Sequence, residues 1–340
     1  MKHWTSAQLA TLRRLREGFL SGSAGSGDYW RSAEDLTLYD ATFGERIGWK
    51  WDAVLSELSL RGWRPKSRHL LDFGCGSGIA GRRVAAQWPS QFTTITLHDR
   101  SKAAMQYAQR RAREIPHLDA RTVPEINAVP EDTLLVLSHV INELPATALD
   151  RLLALCAQAR EILWVEAGTH ADSRRLITAV REPLRASGNF AVIAPCTHQA
   201  NCGMLTAKNS QHWCHSFAVP PSEVFQDARW AEFSRELGID LRALPYSFLA
   251  LARPGDYAPE PAGASRIIGT PREYKGFSKV LSCQAQGVAE FMLQKRDSSD
   301  LFREMRDTIG SLPCYRWELR DGRIVGGTRY SVDDSNREDG

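Results

Sequence analysis

No apolar run in the 340-residue sequence approaches the roughly 18 residues needed to cross a bilayer, which excludes a membrane-spanning helix. Neither sign of charge is in excess. Lys and Arg number 43 against 40 Asp and Glu, a formal net charge of +3, so bulk electrostatics point to no nucleic-acid partner and any basic face must be local. Cysteine is too sparse for a disulfide scaffold, and the seven thiols leave at least one unpaired; a reducing compartment is favoured, with thiols free for structural or metal-binding use. The short C-x-x-C pairs of a zinc ribbon are missing. The opening MKHWTSAQLATLRRLREGFLSGSAG has no continuous apolar stretch of the secretory kind. Its Arg13, Arg14 and Arg16 lend it some likeness to an organellar transit helix, against the plainer reading of an amphipathic first helix.

What remains is ordinary globular usage, 43% hydrophobic and 24% charged, which disfavours collagen-like, disordered and coiled-coil chains. At roughly 150 residues per domain the length allows two domains, or one with large insertions. Helical spacing over 5–20 and 46–61, with a Gly/Ser connection at 21–27, predicts an N-terminal helical region over 1–66. The rhythm then changes. Strand patterns at 69–73, 92–99, 133–139, 161–167 and 189–194 alternate with helical patterns at 79–88, 101–114, 146–159 and 172–187. This predicts an α/β domain over 67–253 with a doubly wound, largely parallel sheet, completed by a helix at 222–237 and a last strand at 245–253. Within it, 195–221 is polar, rich in Cys, His and Asn, and lacks apolar periodicity; such an insert needs another source of order. Pro and Gly between 254 and 271 mark a linker, and 254–330 reads as a small β-rich appendage. Residues 266–330 hold 12 Lys/Arg against 8 Asp/Glu. Arg272, Lys275, Lys279, Lys295 and Arg296 are candidate phosphate contacts there, unless merely solvated. The acidic tail 331–340 is expected to be disordered.

In LLDFGCGSG (70–78), Gly74, Gly76 and Gly78 follow an apolar strand and precede a helix. Without Cβ atoms they permit a tight turn and let backbone N–H groups approach a ligand at a helix N-terminus. A dinucleotide fingerprint wants a small sixth residue, where this sequence has Ile79. S-adenosylmethionine fits better, with Asp99 at the end of the second strand as acceptor for the ribose hydroxyls and Asp72 orienting the loop and the ligand's amino group. The plainer alternative makes the glycines turn residues and Asp99 a helix cap. This series of strand, loop, helix, strand and acid resembles the class I methyltransferase fold. Ser138 and His139 would face the same crevice, and His139, Asn142 and Glu143 are candidates for touching substrate, although SHVINELP (138–145) lacks the Asn/Asp-Pro-Pro-aromatic arrangement of many amino-group methyltransferases.

Cys196, Cys202 and Cys214 fall within 19 residues of the patternless insert, and Cys283 follows farther along. Four thiolates on an inorganic centre would give that segment its missing cross-links. Spacing alone leaves zinc, with help from His198, His212 or His215, and an iron–sulfur cluster both open, and Cys314 competes with the preferred Cys283 as fourth ligand. Pro195-Cys196 also resembles the nucleophile pair of cytosine-5 RNA methyltransferases, a role that a metal-bound thiolate could not fill.

The combination of LLDFGCGSG, VEAGT (165–169), APC-x-H-x3-C (194–202), WCHSF (213–217) and a later Cys in a basic β-rich tail resembles the mitochondrial small-ribosomal-subunit methyltransferase-like family, which has bacterial members. The resemblance implies a class I fold with S-adenosylmethionine on Gly74, Gly76 and Gly78. It also implies a [4Fe–4S] cluster on Cys196, Cys202, Cys214 and Cys283, and association with the small subunit and its rRNA during assembly. The compartment would be a bacterial cytoplasm or, alternatively, the mitochondrial matrix. Two functions then compete: an RNA methyltransferase, or a platform for a ribosomal intermediate that keeps the fold without turnover.

Overall fold

In the computed structural model, residues 3–21, 29–257, 263–305 and 312–330 are described; most of the Gly/Ser connection, the centre of the linker and the acidic tail lie outside them. The chain forms two compact units, each assembled from separate stretches. Met1–Asp52, Lys66–Arg160 and Ala218–Leu244 make the first, and Ala53–Pro65, Glu161–Phe217 and Pro245–Gly340 the second, whereas the sequence suggests continuous domains. No helix among the described residues is long and apolar enough to cross a membrane.

In the first unit, α1 (Ser6–Leu20) starts with a capping box in which Thr5 and Gln8 satisfy each other's free N–H groups. Leu12 and Leu15 are fully buried, and Arg14 pairs with Asp35 at 2.5 Å, so this basic helix is a packed element of the unit. Helix α2 (Ala33–Tyr39) is too short to carry a readable apolar period; Ser32 caps it by accepting from Asp35 N. A π-turn over Asp40–Gly44 leads into α3 (Glu45–Leu60).

The parallel strands β1 (His69–Phe73), β2 (Thr94–His98), β3 (Asp119–Thr122) and β4 (Thr133–Ser138) are joined through α4 (Ile79–Gln87) and α5 (Lys102–Ala112), and α6 (Ala146–Cys156) follows β4. Their order is β3-β2-β1-β4. Residues 70–72 and 133–137 are buried, as continuous apolar strands covered on both faces must be. The four-residue β3 escaped the sequence because DART has no apolar run. The helix expected at 222–237 begins only at Ala228, where Asp227 caps it, and 222–225 is a separate 3-10 turn.

In the second unit, β5 (Glu161–Ala167), β6 (Ala191–Ala194) and the short β7 (Ser216–Phe217) all pair antiparallel with β8 (Pro245–Ala252). The strand expected last in the sheet is therefore interior, with partners on both sides, and 246–252 is buried throughout. The rest of the unit is a second sheet: β9 (Ala264–Ile267), β10 (Arg272–Tyr274), β11 (Phe277–Gln284), β12 (Gly287–Gln294), β13 (Cys314–Arg320) and β14 (Arg323–Arg329). Its order is β10-β11-β12-β14-β13-β9, and β9 also pairs with β11, which closes a five-stranded barrel. Val280, Phe291, Leu293, Tyr315 and Ile324 fill it.

A buried charge cluster ties this unit together. Glu57, on the second half of α3, binds Arg61 at 2.9 Å and is also bonded to both terminal nitrogens of Arg266 on β9; all three residues are at most 6% exposed. Burial pushes the Glu57 carboxyl up, but Arg266 and Arg61 outweigh burial and hold it below its ordinary range. Removing one member of a buried ion cluster leaves uncompensated charge, which costs about 3–5 kcal/mol. Glu57→Ala should lower stability in urea denaturation by about that much at neutral pH; a loss under about 1 kcal/mol would contradict this account. Because the folded-state value lies below the ordinary 4.5, the wild type keeps this contribution above that pH and loses it as pH falls through the lowered value.

Candidate functional site

From β1 the chain adds β2 and β3 on one side, then returns to place β4 on the other. Loops leaving the carboxyl ends of β1 and β4 must therefore diverge, and a crevice opens between them. In the first unit this crevice is a cavity of about 940 Å³, lined by Gly74, Gly76, Asp99, Ser138, His139, Asn142 and Glu143. Gly76 has φ of +51°, and a Cβ there would meet nothing within 4 Å, so bare backbone fronts open space. The Asp99 carboxylate accepts from Gly76 N at 2.9 Å and Ser101 N at 2.8 Å. Each oxygen thus receives one backbone N–H and keeps lone pairs for further donors. Ser101, not Asp99, caps α5.

Asp72 lies elsewhere. It is fully buried, is absent from the cavity wall, and accepts from Gly81 N at 3.0 Å while its other oxygen has no partner. Burial pushes its carboxyl up to about 7. Gly78 also stays off the cavity wall, and a Cβ there would stand 2.8 Å from Ala108. Strand β4 ends at Ser138, whose hydroxyl accepts from Trp51 Nε1 at 3.0 Å. The next residue, His139, adopts φ of +56° and keeps a buried Nε2 with no hydrogen-bond partner. Burial, then Lys50, drives its pKa well below 6.5, so the imidazole is neutral at physiological pH. Burial raises the Glu143 carboxyl, with Arg100 opposing. The cavity's aromatic wall, made by Phe19, Tyr29, Trp30, Tyr39 and Phe43, belongs to no sequence motif; the aromatic density of 29–43 signals four of the five.

In the second unit, Cys196, Cys202, Cys214 and Cys283 line one cavity of about 30 Å³ with Arg181, Arg266 and apolar residues such as Ile177, Met204 and Val288. Cys314 does not line it; its sulfur accepts from Arg61 at 3.3 Å instead. The insert has order of its own: Arg174 donates to the carbonyls of Met204, Asn209 and His212, and Ser173 and Ser247 donate to that of Cys214. Gly203 packs on the backbone of Gly287 and Val288, where a Cβ would come within 2.7 Å. Arg181 Nε donates to Cys196 Sγ at 3.2 Å, and His198 Nε2 lies 3.5 Å from Cys283 Sγ. Burial, then neighbouring sulfur, lifts Cys202 to about 11 and Cys214 to about 12.

Among the described residues, no group of three or more His, Cys, Asp or Glu is disposed to hold a single metal ion. The four thiols share this cavity wall with the buried guanidiniums of Arg181 and Arg266, which would offset negative charge on sulfur.

Parallel strands in the order β3-β2-β1-β4, a glycine loop leaving β1, an acid ending β2 and a cavity across the carboxyl ends define a class I methyltransferase fold. The chain belongs to the family described as mitochondrial small ribosomal subunit Rsm22, whose profile matches residues 51–309. No curated protein matches the sequence. Among solved structures, the N-methyltransferase NodS from Bradyrhizobium japonicum aligns at 14% identity and TM-score 0.38, covering 72% of this chain and 98% of its own. Magnesium protoporphyrin IX methyltransferase from Synechocystis aligns at 14% and 0.39, covering 72% and 99%.

The position of Asp72 gives a test. Its raised pKa means that the folded state holds a proton the unfolded chain releases, so the wild type loses stability as pH rises from its ordinary 3.8 to about 7. Asp72→Asn should gain stability relative to wild type across that range and level off above it in pH-dependent thermal unfolding; a constant difference would contradict the buried, protonated carboxyl.

Proposed function

We propose that the protein binds S-adenosylmethionine in the cavity at the ends of β1 and β4 and acts as a methyltransferase on small-subunit rRNA. In this reading a [4Fe–4S] cluster on Cys196, Cys202, Cys214 and Cys283 fastens the second unit. The observation that carries the reading is the cavity itself, in which Gly76 leaves backbone bare and Asp99 keeps acceptor capacity. S-adenosylmethionine, when bound, supplies a sulfonium methyl as electrophile. Asp99 would receive the ribose hydroxyls. Gly74 and Gly76 would let the ligand lie against backbone. His139, neutral and unpartnered at Nε2, would accept a hydrogen bond from the incoming base, with Asn142 and Glu143 at the exposed rim. Methyl transfer to a lone pair needs chiefly alignment, which the aromatic wall would provide by restricting how a base enters. Asp72, set behind the loop, acts on the ligand only by holding the start of α4 through Gly81.

The family's description supports the small subunit as partner and fits the mitochondrial of the two compartments. Calorimetric titration with S-adenosylmethionine should show saturable binding that Asp99→Ala weakens about tenfold or more, the value of hydrogen bonds to a charged acceptor. Labelled methyl should pass to small-subunit rRNA. Unchanged affinity in Asp99→Ala would overturn the ribose placement, and binding without transfer would replace the enzyme with a non-catalytic platform.

A further inference from the structure

In chain order the barrel strands are β9, β11, β12, β13 and β14, and they close as first, second, third, fifth, fourth and back to first. The third and fifth run parallel, and the helix Ser299–Glu304 lies between the third and fourth. This is the connectivity of an OB fold. Such barrels meet oligonucleotides across the second and third strands and on the loops joining the first to second and fourth to fifth strands. Here those parts are β11, β12, residues 268–276 and the hairpin at Asp321–Gly322.

Register identifies the outer face of β11 and β12. Val280 and Phe291 form one directly opposed pair and point into the barrel core. The neighbouring pairs Phe277–Gln294, Lys279–Met292, Leu281–Glu290 and Cys283–Val288 therefore take the other face. One end of that face is covered, since Cys283 and Val288 line the thiol cavity. The opposite end is bare. Tyr274, 45% exposed, stacks on Phe277 with centroids 4.7 Å apart and planes 6° from parallel. Beside them Lys275, Lys295 and Arg296 border an open cleft of about 630 Å³. No carboxylate among the described residues pairs with these three cations, whereas Arg272 and Lys279 are both tied to Glu290. The Asp321–Gly322 hairpin reaches the same end, with Met292 N donating to Gly322 O at 3.5 Å.

We infer that this tip is a binding site for a short single-stranded RNA segment, with a base stacked on Tyr274 and phosphates held by Lys275, Lys295 and Arg296. An exposed aromatic face beside unpaired cations, on the loops where this barrel connectivity meets nucleic acid, is the arrangement that recognises single strands. Duplex RNA hides its base faces and offers shape instead. The inference rests on the ribosomal RNA reading above and locates the contact.

The test uses the full chain, fluorescence anisotropy, and two probes, a fluorescent oligouridylate and an RNA duplex of equal length, over a salt series. Wild type should prefer the single strand. Tyr274→Ala should weaken binding about tenfold. The triple variant Lys275→Glu, Lys295→Glu, Arg296→Glu should weaken it further and lower the slope of log affinity against log salt by about 2, at about 0.7 per phosphate contact. Both variants alter exposed side chains, so their melting temperatures and S-adenosylmethionine titrations should match wild type. Wild-type affinity in both variants, or equal binding of duplex and single strand, would overturn the site. Co-sedimentation with small ribosomal subunits separates the two readings. Wild type that co-sediments but ignores single-stranded RNA removes the tip and keeps the ribosomal reading. Wild type that binds the oligonucleotide through Tyr274 yet never co-sediments keeps the tip and removes the ribosomal partner.

Discussion

A single buried carboxylate, Glu57, governs how the cysteine-bearing segments meet. It holds Arg61 and Arg266, and the two guanidiniums grasp what the thiols are attached to. Arg61 donates to the carbonyls of Ile193, Pro195 and Cys196. Arg266 donates to Ser216 Oγ, two residues past Cys214, and its backbone lies in register with Cys283. Three stretches remote in sequence are thus brought together by charge and hydrogen bonding before any inorganic centre is considered. Such a cluster is costly to bury and intolerant of losing a member, which makes it a stiff support. The cavity beside it is mostly apolar, with the Arg181 and Arg266 guanidiniums and the Ser173 and Ser247 side chains also in its wall, and His198 next to Cys283.

The methyl-donor cavity of the first unit is built on a different constraint. Its floor follows from strand order, because divergence of the β1 and β4 loops leaves a crevice whatever the side chains. Its chemistry follows from local exceptions. His139 sits in a left-handed conformation immediately after β4, which turns the chain across the opening. Asp40, just past α2, is buried and bound to Arg82 and Tyr107, which anchors the turn carrying Phe43 beside the glycine loop. The aromatic wall is therefore held by an ion pair to α4, the helix that the loop begins.

Much of this was legible because it is written in periodicity. Strand β1, the loop after it, strand β4 and helix α1 stand within a residue or two of where apolar spacing and glycine placement put them. The elements that escaped have short or mixed patterns: α2, β3, and β12, whose GVAEFMLQ alternates imperfectly between barrel core and outer face. The candidate site divides the same way. Asp99, Gly76 and Ser138 reach the cavity, whereas Asp72, also an aspartate and closer to the loop, is turned into the core, where Gly81 leaves it room beside α4. No spacing rule reports which way a strand residue at the last turn before a loop will face. The closure of the appendage into a barrel was equally hidden, since it depends on β9 pairing twice.

The cluster proposed on Cys196, Cys202, Cys214 and Cys283, beside the Glu57 ion cluster, is open to direct chemical analysis. Iron and acid-labile sulfide analysis of the full chain purified without oxygen tests this most directly. The account predicts about four of each per chain. One zinc per chain with no sulfide, or no metal under conditions that keep the thiols reduced, would contradict it.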